Sequence, residues 1–293
     1  MFRLLIIDGH AYAYRAFYAI RELRSPSGRP TNAIYGFVKM LSKIRAGLQP
    51  THVIVVWDGG LSAERMAALP EYKAHRPEMP ADLDSQIEEM TEYLNAAGVA
   101  SFCRAGVEAD DYVACLTRHA AAADMEVVIA SSDKDFMQLV SPGVSLLNPG
   151  DKTETLWSAE QVRNKTGVAP EQIVDWLSLI GDSVDNIPGV PGVGPKTAAD
   201  LLNRFGSLDR IYERLAEVKS DRLRASLQAA ETAARRNRGL IRLKNDLACE
   251  FSAHELAEHA PDLRRLRELF ARWGFKTMLA ELEKLQAQRE CLL

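Results

Sequence analysis

Apolar positions along the chain fall into two kinds of run that alternate over its first half. Arg3 to Ile7 is a short Leu/Ile-rich run closing on Asp8-Gly9, and Val53 to Trp57 is a second, closing on Asp58-Gly59. Val99 to Cys103 and Glu126 to Ser131 are two more. Runs this short and this continuous read as buried strands. Between them the spacing changes to three and four residues, predicting helices over Ala11–Ile20, Thr31–Leu48, Asp82–Ala97 and Tyr112–Ala122. In the second of these, Ala33, Phe37, Met40, Leu41 and Ile44 share one face. A Ser/Pro/Gly loop spans Ser25 to Pro30, and Leu61 to Pro80 is irregular. Strands alternating with helices predict an α/β fold, a parallel sheet with helices on both faces. Beyond the turn Ser141-Pro142-Gly143 and a short apolar run, only helices are expected: Ala159–Lys165, Pro170–Ile180, Thr197–Arg204, Leu208–Leu215, Arg222–Leu243 and two near the C-terminus. The expected organisation is an α/β core over 1–175, a helical region over 176–260 and C-terminal helices over 261–293.

The polar residues that interrupt this pattern are mostly aspartates, and they sit at strand ends. Asp8, Asp58 and the Asp133/Asp135 pair each follow a separate predicted strand. Gly106-Val107-Glu108-Ala109-Asp110-Asp111 follows the third strand and opens a helix. Acids in a helix's first turn are expected on capping and dipole grounds alone. In an open α/β sheet, however, the carboxyl ends of the strands form the ligand crevice. Four strand ends bringing seven carboxylates to one rim are better explained by function than by four separate caps. Gly181-Asp182-Ser183-Val184-Asp185-Asn186-Ile187-Pro188 adds two more acids in a loop.

Composition changes this picture little, and charge distribution more. A 293-residue chain with 47% hydrophobic and 26% charged residues is ordinary for a globular protein. No apolar run approaches a membrane span, the N-terminus is charged too early for a signal peptide, and a cytoplasmic setting is expected. Cys103, Cys115, Cys249 and Cys291 lack zinc-site spacing and read as reduced thiols. The net charge of -4 hides an asymmetry. Lys196 to Lys244 carries twelve Lys/Arg and six Asp/Glu, a local +6 against -10 elsewhere. Such a segment is either a nucleic-acid face or a solvated helical face.

So many carboxylates on one rim raise one another's pKa unless cations compensate. An all-oxygen set without nearby Cys or His suits Mg²⁺ or Mn²⁺ and disfavours zinc. Two such ions can drive hydrolysis of a phosphodiester. Gly189-Val190-Pro191-Gly192-Val193-Gly194-Pro195-Lys196-Thr197 resembles a nucleotide P-loop at first sight, but Pro195 precedes the lysine and a helix, not a strand, precedes the loop. Glycines between two helices can instead offer backbone N–H groups to a DNA phosphate, gripping the backbone without reading bases. They can also be a plain interhelical turn. Tyr72, Lys73 and Arg76, and the pair Tyr14-Arg15, could meet phosphates and bases. Taken alone, they read as surface residues.

With these motifs in view, the chain resembles the 5′-nuclease family: the 5′→3′ exonuclease domain of bacterial DNA polymerase I, the phage flap endonucleases and their free-standing relatives. The resemblance runs from Leu4 to about Leu243 and rests chiefly on Glu108-Ala-Asp-Asp, Ser132-Asp-Lys-Asp and the Gly181–Ala198 stretch. It implies that Asp8, Glu108, Asp110 and Asp111, with Asp58 nearby, form the tighter metal site, and that Asp133, Asp135, Asp182 and Asp185 form the second. It further implies a helix–three-turn–helix at the glycine loop that holds duplex DNA and a K⁺ ion. Gly189, Val190, Gly192, Val193, Gly194, Lys196 and Thr197 would be its DNA contacts. Residues 61–80 correspond to a helical arch in which Lys73 and Arg76 steer the scissile phosphate. Arg65, Tyr72, Tyr14 and Arg15 would contact DNA nearby. One departure is Glu64, where polymerase-linked members usually carry Phe before the arch arginine; it bears on how the arch packs, not on metal chemistry. The chain ends without proofreading or polymerase domains, as a free-standing nuclease or a piece of a longer protein would.

The implied activity is structure-specific 5′→3′ exonuclease and 5′-flap endonuclease cleavage by two Mg²⁺ ions, as in primer or flap removal during replication and repair, with Asp110 central. Two rivals stay open at this point. A single-strand ribonuclease of the related small α/β type would need the acids but not the glycine loop. A non-catalytic binder of DNA structures would need the loop but not nine acids.

Overall fold

The computed structural model describes residues 2–150, 155–248 and 252–290. From the N-terminus run strand β1 (Arg3–Asp8), helices α1 (Gly9–Ala19) and α2 (Asn32–Leu48), strand β2 (His52–Val56), helices α3 (Ala63–Ala68) and α4 (Ala81–Ala96), and strand β3 (Ala100–Phe102). Helix α5 (Ala109–Ala122) leads to strands β4 (Glu126–Ala130), β5 (Val144–Leu147) and β6 (Leu156–Trp157). Then come helices α6 (Ala159–Thr166) and α7 (Ile173–Ile180), a two-stranded ribbon of β7 (Gly181–Asp182) and β8 (Ile187–Pro188), and helices α8 (Pro195–Phe205), α9 (Leu208–Glu213) and α10 (Asp221–Ile241). Short α11 (Ala253–Leu256), α12 (Leu263–Trp273) and α13 (Lys276–Glu290) close the chain.

These elements form two compact units, each discontinuous in sequence. One comprises residues 1–58, 78–103 and 250–293. Its strands run β3-β2-β1, all parallel, with Leu5 opposite Val53 and Val55 opposite Ser101. Leu4, Leu5, Ile6 and Ile7 are completely buried, because every side chain of a strand inside an α/β layer needs an apolar neighbour. Gln86 of α4 binds this core to the start of α2, its amide oxygen accepting from the N–H groups of Ala33 and Ile34. Those two donors belong to a first helical turn whose Thr31 cap supplies no side-chain bond.

The other unit comprises residues 59–77 and 104–249. Strands β4 and β5 are parallel, and β6 pairs antiparallel to β5. The α/β expectation therefore holds, with an antiparallel edge that a two-residue strand was too short to announce. Segment 61–80, expected as a helical arch, contains α3 followed by turns. Pro170–Ile180 begins as a 3₁₀ turn over Pro170–Gln172 before α7. Buried Asn237 of α10 donates to the carbonyls of Ser178 and Pro188, fastening α10 to the end of α7 and to β8. Cys103 is exposed and Cys115 buried, neither in a disulfide, and the Cys115 thiol donates to the Leu247 carbonyl. The expectation for Cys249 and Cys291 lies outside the described residues. No helix among the described residues is long and apolar enough to cross a membrane.

Candidate functional site

The first turn of α5 is where the site begins. Glu108 holds the N-cap position but makes no capping bond, so its side chain is free to point elsewhere. One carboxylate oxygen accepts from the Ser62 N–H at 2.9 Å, and the other from the Tyr72 hydroxyl at 3.1 Å and the Lys73 ammonium at 2.5 Å. Arg65 stands 3.1 Å away. Burial alone would push the Glu108 carboxyl up; the charges of Lys73 and Arg65 overcome it and hold the pKa at about 2. Asp111, one turn position further, has both oxygens engaged. Arg65 donates to them at 2.8 and 2.7 Å, and the Lys244 N–H adds 2.9 Å.

Tyr72 and Lys73, which taken alone read as surface residues of a loop, and Arg65, expected as a DNA contact, are all buried. Their exposures are 3%, 5% and 3%. Arg65 follows the Ser62 cap of α3 and is spent inside the unit: besides Asp111 it donates to the carbonyls of Leu240 and Arg242. Lys73 adopts a left-handed backbone (φ 57°), costly for a residue with a Cβ, and its N–H donates to the Asp185 carbonyl. That geometry carries its ammonium to Glu108 and within 4.0 Å of both Asp110 and Asp185. Arg76, more exposed, donates to Asp185 at 2.6 Å. Burial pushes the Tyr72 hydroxyl well up, and the neighbouring Glu108 and Asp185 charges push the same way.

A second cluster is built differently. Asp135, Asp182 and Asp185 each present a carboxylate oxygen, all within 4.8 Å of one another. Asp133 caps the 3₁₀ turn Lys134–Leu139, accepting from the Asp135 N–H at 2.9 Å. Asp182 accepts from the Val184 N–H and pairs with Lys134 at 3.0 Å. Burial, then Asp133 and the other acids, push the Asp135 carboxyl well above its ordinary value, and Asp133 is raised by burial and by Asp185 and Asp182. One oxygen of Asp135 is shielded from solvent without a hydrogen-bond partner. An oxygen-only donor set with an orphaned buried oxygen and mutually repelling charges fits a hard divalent cation.

The ribbon that carries Asp182 and Asp185 depends on two glycines. Gly181 has φ 78°, and a Cβ there would lie 2.4 Å from the Gly189 nitrogen. A Cβ on Gly189 would lie 2.2 Å from the Ile180 carbonyl oxygen. Directly after it, Val190 and Val193 are buried as anchors while Gly192, Gly194 and Lys196 are exposed and Thr197 is half-buried. Helix α8 starts here with Pro195 in its first turn and no side-chain cap on Gly194. Its amide end is therefore offered outward, as anion binding requires.

In the first unit Asp8 ends β1 and caps α1, accepting from the Ala11 N–H at 3.0 Å. Asp58 follows β2, its N–H donating to His10. Tyr14 stacks on the exposed Tyr18 with ring centroids 6.4 Å apart, and Arg15 is exposed beside them. Sequence reading missed Lys134 and Lys244 as partners of the acids. Lys134 was visible in Ser132-Asp-Lys-Asp, flanked by two acids; for Lys244, far along the chain, no local signal exists.

Residues 3–167 match the 5′-3′ exonuclease N-terminal resolvase-like domain, and residues 168–264 match the 5′-3′ exonuclease C-terminal SAM fold. The chain belongs to the 5′-3′ exonuclease family. Among its relatives is the 5′-3′ exonuclease of Aquifex aeolicus, 36% identical over 97% of this chain and 96% of that protein. DNA polymerase I of Bacillus caldotenax is 37% identical over 98% of this chain but only 33% of its own length. This exonuclease-family chain thus spans about a third of the polymerase it matches. A solved structure of bacteriophage T5 5′-exonuclease with bound divalent zinc ions is similar, with TM-score 0.68 and 27% identity, covering 82% of this chain and 89% of that one. T5 D15 flap endonuclease, solved with DNA and metal ions, matches at TM-score 0.68 and 25% identity over 82% and 88% of the two chains. The catalytic core of Rad2, solved with DNA substrate, shares the fold at TM-score 0.62 and 17% identity, over 93% and 88%.

Proposed function

We propose that this member of the 5′-3′ exonuclease family is a Mg²⁺-dependent, structure-specific 5′→3′ exonuclease and 5′-flap endonuclease acting near single-strand/duplex junctions, as in primer or flap removal. The observation that carries the reading is the convergence of Asp135, Asp182 and Asp185 within 4.8 Å, with Lys73 and Arg76 ion-paired to the same Asp185. Asp133, Asp135, Asp182 and Asp185 would hold one divalent ion and Asp110 another, with Asp8 and Asp58 joining on their strand-end pattern and Glu108 joining as Lys73 turns from it to a phosphate. Asp111 serves the site through Arg65, since both its oxygens are already taken. Bound there, a divalent ion supplies an activated water and stabilises charge on the phosphate.

The chain's own groups do the rest. Lys73 and Arg76 bring two cations to the edge of the acids, where each can turn from a carboxylate to a phosphate oxygen of the strand. Tyr72, its hydroxyl pushed well up by burial, stays protonated and acts as a donor rather than a base. Glu108, held at about 2, stays ionised through the working pH range. The glycine loop and the start of α8 grip duplex backbone, with a K⁺ ion at the loop; Tyr14 and Arg15 meet DNA beside the cut, while Tyr72, which is buried, orients Glu108. The Mg²⁺ dependence, the K⁺ ion and a cytoplasmic setting belong to this proposal.

The test incubates the protein with labelled 5′-flap DNA, nicked duplex and single-stranded RNA, each with Mg²⁺ or EDTA. Cleavage of the flap near its junction, lost with EDTA, is the expected result. Cutting of the RNA alone, or metal-independent binding without cutting, would overturn it.

A further inference from the structure

The basic character of α10 is largely spent within the protein. Arg224 pairs with Asp221, Arg235 with Glu231 at 2.9 Å and Asp209 at 2.6 Å, Arg238 with Asp209 at 2.7 Å, and Lys244, just beyond the helix, with Glu64. Arg236 is different. It is half-buried, its Nε is shielded from solvent without a hydrogen-bond partner, and its Nη2 reaches only the Asn237 side chain at a long 3.4 Å. Among the described residues no carboxylate lies within ion-pairing distance of it.

The side chain lines a hollow of about 440 Å³ shared with Leu69, Glu71, Asp182, Asn186 and Gly189. Asp182 is already compensated by Lys134 and the Val184 N–H, so it does not claim the guanidinium. The neighbouring Asn237 fixes α10 to Ser178 and Pro188, which sets where Arg236 stands relative to the ribbon. Asn186, left-handed at φ 56°, donates to the Glu71 carbonyl and fixes the opposite wall. A permanently charged fork of donors, partly desolvated and without an anionic acceptor, costs free energy that a doubly accepting anion recovers. Phosphate is the anion whose geometry the fork matches.

We propose that Arg236 is a DNA-binding residue that holds one backbone phosphate of the docked strand in this hollow, between the glycine loop and the acid cluster. The proposal rests on the nuclease reading above and assigns to one arginine a contact that no glycine-loop or arch residue supplies.

The test measures binding of 5′-flap DNA with Ca²⁺ replacing Mg²⁺, over a salt series, for the wild type, Arg236→Gln, Arg236→Lys and Arg235→Gln. Arg236→Gln should weaken binding about tenfold and lower the slope of log affinity against log salt by about one. Arg236→Lys should keep the slope and part of the affinity. Arg235→Gln, from a residue already paired, should change the slope little. A second measurement scans single methylphosphonates along the duplex strands. One position should weaken wild-type binding and lose that effect in Arg236→Gln, which carries no charge for that phosphate. Unchanged affinity and slope in Arg236→Gln, or no methylphosphonate position whose effect depends on residue 236, would overturn the proposal. Either result with flap cleavage intact leaves the nuclease reading standing, whereas absence of Mg²⁺-dependent cleavage in the wild type would remove that reading itself.

Discussion

Two groups of carboxylates in the same unit have opposite electrostatic states. Around the first turn of α5, Glu108 and Asp111 are buried, but Arg65 and Lys73 reach them from residues 59–77 and compensate them fully. Around the 3₁₀ turn and the ribbon, four acids, Asp133, Asp135, Asp182 and Asp185, crowd together against Lys134, Arg76 and, at 4.0 Å from Asp185, the Lys73 already bound to Glu108. The carboxyl of Glu108 is driven down; those of Asp133 and Asp135 are driven up. Acids compensated by the protein's own cations tie residues 59–77 to the start of α5. Acids left to repel one another are strained until a cation from outside arrives.

That contrast can be broken most decisively at Asp110, which stands between the groups. Asp110→Asn should lower Mg²⁺-dependent flap cleavage by about a thousandfold or more while duplex binding changes little. Cleavage at the wild-type rate in a gel assay would sink the assignment. Next in size is Arg65→Ala, which leaves Asp111 buried without its cation and should destabilise the protein by about 3 to 5 kcal/mol, read by denaturant unfolding. A loss under about 1 kcal/mol would mean that Asp111 is not compensated as described.

The opposite sign is expected at Asp135. Asp135→Asn removes one repelling charge, so in EDTA it should raise stability by about 1 kcal/mol, although it lowers cleavage. A lower melting temperature than wild type in EDTA would contradict the contrast between the groups. The two groups should also separate with pH in metal-free protein. Glu108 is depressed from 4.5 to about 2, so its contribution is complete above pH 4.5 and is lost as pH falls toward 2. Asp135 is raised from 3.8, so its ionised form burdens the fold increasingly as pH rises above that value. Melting in EDTA should therefore improve as pH falls from neutrality, then worsen below 4.5; a monotonic fall would refute one of the two shifts. The smallest effect is expected at Glu64, whose pair with Lys244 is mostly exposed. Glu64→Ala should leave both the melting temperature and cleavage near wild type.

How much of this was legible in the sequence follows from the range of each interaction. The strand-end aspartates and the first turn of α5 were readable because a strand's end and a helix's first turn are local events. Asp8 as cap of α1 and Asp133 as cap of its turn sit where the pattern put them. The burial of Arg65, Tyr72 and Lys73 was not readable. Between apolar runs, a Tyr-Lys-x-x-Arg stretch is polar, and its partners at Glu108, Asp111 and Asp185 lie tens of residues away. The excess of cations over 196–244 was visible as a sum, but which of them are spent on Asp209, Glu231 or Glu64 is tertiary information. Arg236 stands out from that sum as a half-buried guanidinium without a carboxylate partner among the described residues.

The ribbon from Gly181 to Pro188 bears one further consequence. Its two aspartates and the glycine loop belong to one unbroken stretch, sealed by the Gly181–Gly189 approach and clamped by Asn237. In a nuclease that grips duplex DNA with the loop, such a stretch works as a ruler. The cut would fall at a set number of nucleotides from the end of the duplex, whatever the length of the single strand beyond it.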